Sequence, residues 1–185
     1  VPCVEIVGGA RIPVIGPDAR PKSAAPVERY YEYRRRALAQ SLAAVYHLED
    51  QDNPLRLLPA SSKPLPVVAV ELEPGSAFLM NQLAEYGALR QALQECPDPG
   101  AEIARQHVKL NVDIAHAFLI GYTVDDLQPI KRDIAHMHIS DHAGHYYRRR
   151  PSGTDYAVGV HAMDLVPGTF HRHDEYLPWL ALAQE

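Results

Sequence analysis

Three short apolar runs, each breaking into acids or imidazoles and each followed by a different kind of segment, constrain this chain more than any other feature. They are "VVAVELEPG" (67–75), "HVKLNVDIAH" (107–116) and "DIAHMHIS" (133–140). Runs of this length, rich in Val, Ile and Leu and bounded by turn residues, predict strands. The intervening "SAFLMNQLAEYGALRQALQEC" (76–96), the short "AEIARQ" and "TVDDLQPIKR" (123–132) read as helices. Thr123 followed three residues later by Asp126 has the pattern of a capping box. Upstream, "CVEIVGGARIPVIG" (3–16) reads as a further strand with a Gly-rich turn. Tyr30, Tyr31, Leu38, Leu42, Val45 and Tyr46 recur near helical spacing within 27–48. Pro-rich connections at 16–26 and 49–66, a long polar loop after Ser140 and a terminal helix at 173–185 complete the order.

Strands alternating with helices imply a parallel sheet with crossover connections. The strands read as apolar along their length, as expected of a sheet covered on both faces. No Gly-x-Gly-x-x-Gly or P-loop pattern follows any of them, which favours a barrel over a nucleotide-binding open sheet. A chain of 185 residues can form one domain with a substantial core.

Charge and composition narrow the partners. The formal charge of −5 provides no basic field, so a nucleic-acid partner is not expected. No apolar stretch reaches the roughly 18 residues of a membrane span, and no secretory leader pattern opens the chain. Cys3 and Cys96 are too few and too distant for a disulfide framework, which fits a reducing compartment such as the cytoplasm. Val1 leads directly into an apolar segment, as if the sequence entered a fold midway.

The chemistry gathers where the apolar runs stop. Reactive groups of parallel α/β folds collect at the carboxyl ends of strands. Three successive ends here carry Glu71 and Glu73, then Asp113 and His116, then His136, His138 and Asp141. The two-residue period of a strand puts Glu71 with Glu73 on one side, and His136 with His138 on one side. A Glu, an Asp and a His from neighbouring strands would make a mixed oxygen and nitrogen site for Mn²⁺, Co²⁺, Zn²⁺ or Mg²⁺. Taken singly, each residue has an ordinary structural reading: Asp113 serves equally well as a cap for a following helical turn, and His138 as a hydrogen-bonded core histidine. "HMHISDH" also approaches the His-x-His-x-Asp-His run of metallo-β-lactamases, but it has one residue too many.

"VAVELEPG", "NVDIAHAF" and "IAHMHISDH", in this order with helices between, resemble the xylose-isomerase-like TIM barrels, which comprise sugar phosphate isomerases and epimerases and the endonuclease IV group. The resemblance covers roughly 65–170 well and 1–65 loosely. It implies an α/β fold, a (β/α)8 barrel of which about the third to the seventh strands are present, with 1–185 forming a single partial barrel domain. It further implies that Glu71, with Glu73 as the competing alignment, Asp113 and His138 bind a divalent metal ion. Asp141 matches the acid that follows, and His116 a substrate-binding or second-metal companion. His136 and His161 are further candidates. "VPGTF" (166–170) stands where a Pro-Gly-x-Gly segment is expected, with Phe170 in place of the second Gly. The implied activity is isomerisation or epimerisation of a small-molecule substrate, a sugar or hydroxy-carbonyl compound, by proton transfer at carbon. Glu71 would act as acid and base, and His116 would orient substrate hydroxyls. The family's second catalytic Glu, from its last strand, has no counterpart here. Two other readings stay open: an endonuclease IV-like phosphodiesterase, with "YYRRR" (146–150) touching phosphate, and a non-catalytic or degenerate metal-binding barrel in a metabolite-handling complex. A homo-oligomer is compatible with any of the three.

Overall fold

The computed structural model describes residues 3–7, 24–47, 65–73, 79–141, 146–149, 156–159, 166–169 and 171–184. Four strands, β1 (Cys3–Val7), β2 (Val67–Glu71), β3 (Val108–Asp113) and β4 (Ile134–His138), form one parallel sheet in the order β1-β2-β3-β4. The helices are α1 (Ala24–Val45), α2 (Leu83–Glu95), α3 (Ala101–His107), α4 (Ile114–Ile120), α5 (Val124–Leu127) and α6 (His173–Gln184). A 3-10 segment (Gln128–Asp133) leads into β4. The fold is therefore mixed α/β, as the alternation of segments implies. The strand order follows the chain and never reverses among the described residues.

The register sorts the strand residues into two unlike faces. Glu5 lies opposite Ala69, Ala69 opposite Lys109, Glu71 opposite Asn111, Asn111 opposite His136, and Asp113 opposite His138. The residues between them are Ile6, Val68, Val70, Leu72, Val108, Leu110, Val112, Ile134 and Met137, and all of these join the hydrophobic core. That core continues into Leu42 of α1 and Tyr46 just after it, Leu89 and Leu93 of α2, Ala104 of α3, Ala117 of α4, and Tyr176 and Trp179 of α6. The expectation of continuously apolar strands covered on both faces holds for β2, where Val68–Glu71 are all buried. Strand β3 is buried nearly throughout but carries Lys109, Asn111 and Asp113 on its second face, and β4 carries His136 and His138 there.

A bulge makes this sorting possible at β4. Leu110 pairs with Ile134, but the next residue, Asn111, pairs with His136, so Ala135 is left over. Were Ala135 paired with Asn111 in regular register, Met137 would stand beside Asp113, and both histidines would turn into the core.

The polar face is strongly concave. In a flat sheet, β1 and β4 would stand three strand spacings apart, about 14 Å. Yet Glu5 Oε2 of β1 lies 3.2 Å from His138 Nε2 of β4. The sheet curls so far that side chains of its first and last strands meet across the hollow.

Other elements differ from expectation. The run read as a strand through 116 ends at Asp113, and α4 follows directly. The Asp113 side chain accepts from the N–H groups of Ala115 and His116, and Gly121, at φ 83°, closes the helix in the left-handed region. The polar stretch after Ser140 contains an antiparallel pair, β5 (Tyr146–Arg149) and β6 (Tyr156–Gly159). Helix α2 begins at Leu83 rather than at 76. The Thr123–Asp126 capping box is present as expected. Gly100, ahead of α3, lies against the end of α1, where a Cβ would meet the Ala43 carbonyl oxygen.

Candidate metal centre

The concave face brings together most of the residues singled out in the sequence. Glu71 ends β2, Asp113 ends β3 and His138 ends β4. One donor atom from each lies within 4.8 Å of the other two. His138 Nδ1 is 3.8 Å from Glu71 Oε1 and 3.8 Å from Asp113 Oδ2. Two ligand atoms on one ion, each bonded at about 2.1 Å, stand at most about 4.2 Å apart, so these separations suit a shared ion.

Asp113 serves two purposes at once. Its Oδ1 accepts from the Ala115 N–H at 2.7 Å and the His116 N–H at 3.4 Å, holding the first turn of α4. The Ser140 hydroxyl donates to Oδ1 at 2.8 Å and reaches Oδ2 at 3.1 Å. The carboxylate is thereby fixed by three donors while Oδ2 faces His138. The cap reading and the ligand reading are compatible, because they engage different oxygens.

Two further groups of donors overlap this one. Glu71, Glu73 and His116 form one, and Glu5, His136 and His138 the other. His116 is buried, with Nδ1 3.5 Å from Glu71 Oε1 and 3.8 Å from Glu73 Oε2. The same nitrogen lies 3.1 Å from the Leu72 carbonyl. A carbonyl only accepts, so Nδ1 carries the proton and has no lone pair for a cation. His136 sits across from Asn111, with Nδ1 3.1 Å from the amide oxygen. Its ring meets that of His138 edge-on, with centroids 4.9 Å apart. The Asn111 amide nitrogen is buried and finds no partner among the described residues.

The cluster is electrostatically crowded. Burial pushes the Glu71 carboxyl up to about 8, and the charges of Glu73, Glu5 and Asp113, with a hydrogen bond to Glu5, push in the same direction. A buried acid among other acids is costly unless a cation joins it. The donors of the central group fit a hard or borderline divalent ion: two carboxylates with one imidazole, and no thiolate.

Asp141 lies apart from these triads. Fully buried, it accepts from His171 Nδ1 at 2.6 Å and from the His171 backbone N–H at 3.1 Å. The His171 ring stacks on Phe118, 4.2 Å between centroids, and Phe118 meets Tyr176 and Trp179 edge-on. Tyr176 donates to the Ser140 carbonyl, and burial, then the Asp141 charge, push its phenol up to about 12. Among the described residues, Asp141 is thus the partner of a histidine instead of a member of a donor triad. His161 and Phe170 lie outside the described residues.

Sequence reasoning missed Glu5, Asn111 and Ser140. Glu5 carried a signal, as the sole acid inside "CVEIV", but its meeting with β4 depends on curvature that no single strand reveals. No helix among the described residues is long and apolar enough to cross a membrane. Comparison of the chain with family models, with curated proteins and with solved structures gives no match.

Proposed function

We propose that this chain is part of a xylose-isomerase-like (β/α)8 barrel and acts as a divalent-metal-dependent isomerase or epimerase on a small sugar or hydroxy-carbonyl compound. The carrying observation is the convergence of Glu71, Asp113 and His138 from three adjacent strand ends on one concave face. Two features of the sheet support the barrel. Its order follows the chain without the reversal that doubly wound sheets show, and its polar hollow is narrow enough for Glu5 and His138 to meet.

Glu71, Asp113 and His138 would hold the ion, of the Mn²⁺, Co²⁺, Zn²⁺ or Mg²⁺ class. Bound there, it would supply polarisation of a substrate carbonyl and the neighbouring hydroxyl oxygen. Without a cation, burial and like charges push the Glu71 carboxyl up to about 8. A bound ion would favour its ionised form, and Glu71 is the residue assigned to exchange a proton with the substrate carbon. His116, buried beside Glu71, is the residue assigned to orient a substrate hydroxyl.

Metal content by mass spectrometry, on the purified protein and on Asp113→Ala and His138→Ala, tests the site. Binding in the parent and loss in both variants is expected; unchanged content in both overturns it. Exchange of solvent deuterium at carbon next to the carbonyl, across a panel of ketoses, tests the reaction.

A further inference from the structure

Taking as given that Glu71, Asp113 and His138 receive a divalent ion, we propose that Glu5 is the positioning residue of that site, holding His138 in the one tautomer able to bind. The two nitrogens of His138 face different neighbours. Nε2 lies 3.2 Å from Glu5 Oε2, while Nδ1 points between Glu71 and Asp113, 3.8 Å from an oxygen of each. A neutral imidazole has one N–H and one lone pair, and an ionised carboxylate only accepts. Glu5 therefore draws the proton onto Nε2 and leaves the lone pair on Nδ1, where the other two donors converge. A carboxylate behind a metal-binding histidine fixes the ring and raises its basicity, and losing such a partner typically weakens the metal about 10- to 100-fold.

The same geometry decides between overlapping sites. A cation held by Glu5, His136 and His138 would need the Nε2 lone pair that the Glu5 contact consumes. A cation held by Glu71, Glu73 and His116 would need the nitrogen that donates to the Leu72 carbonyl. Of the three donor groups among the described residues, only that of Glu71, Asp113 and His138 is left able to hold an ion. Glu5 comes from β1 and His138 from β4, so the arrangement also explains how the first strand takes part in a site formed on the other three.

The experiment combines calorimetric titration of the protein with Co²⁺ and Zn²⁺ and ¹⁵N NMR of the His138 ring in the metal-free protein. The parent should bind one ion and show the proton on Nε2. Glu5→Ala should fold normally, lose affinity about 10- to 100-fold and lose the preference for Nε2–H. Glu5→Gln keeps an accepting oxygen and should recover most of both. A Glu5→Ala protein that binds as tightly as the parent, or a parent ring protonated on Nδ1, overturns the assignment while leaving the metal site standing. Loss of binding in His136→Ala with retention in Asp113→Ala places the ion on Glu5, His136 and His138, and overturns it too. A parent that takes up neither cation removes the metal reading, and this proposal with it.

Discussion

Two carboxylate–histidine clusters lie at the same end of this sheet, and they are built on opposite terms. Around Asp141, each demand is met nearby: the carboxylate has the His171 ring and backbone, the ring has Phe118, and Tyr176 ties the helix α6 to Ser140. Around Glu71 the reverse holds. Glu5, Glu73 and Asp113 press their charges on one buried carboxyl, whose proton is retained to about pH 8. The first arrangement resembles what a fold does to remain folded. The second is a local conflict that the fold maintains, of a kind that a bound cation would relieve.

The contrast can be broken by substitution. Asp113→Ala should have the largest effect on cation binding, because it belongs to the crowded cluster, and it also caps α4: binding disappears and stability falls by about 1–2 kcal/mol, measured by calorimetry and urea denaturation. His171→Ala should cost about 2–3 kcal/mol by leaving the Asp141 carboxylate buried without its ring partner, while cation affinity stays as in the parent. If it abolished binding in a protein that still folds, the two clusters would have to be treated as one unit.

Acidity sharpens the comparison further. In the metal-free protein the folded state holds the Glu71 proton to about pH 8, whereas the unfolded chain releases it near its ordinary value of 4.5. Between those values the folded state binds more protons, so stability declines as pH rises across that window. Glu71→Gln should flatten the decline, and added cation should oppose it in the parent only. A pH series of urea midpoints measures both. The smallest effect is expected for Ser140→Ala, about 1 kcal/mol, because Asp113 retains its two backbone donors.

Much of this was legible in the residue order. The strands β2, β3 and β4, the acids and histidines at their ends, and the Thr123–Asp126 box follow from patterns of two and three residues. What escaped depends on information that no short window contains. Helix α4 was hidden because "IAHAFLI" continues the apolar run of β3, although Asp113 and Gly121 frame it as cap and stop. The pair β5 and β6 consists of two four-residue strands, too short to show a periodic pattern. The bulge at Ala135 is a matter of register between two strands, and Glu5 matters only because the sheet curves enough to bring β1 over β4.

The divided carboxylate of Asp113 has an evolutionary consequence. A Glu or a His at this place would still offer a donor atom for a cation, but neither would hold the opening turn of the next helix in the same way. Any lineage in which the proposed cation site were lost would therefore still be under pressure to keep this aspartate. Its presence in a descendant would then be a record of how the chain folds, and not by itself proof that the descendant is an active catalyst.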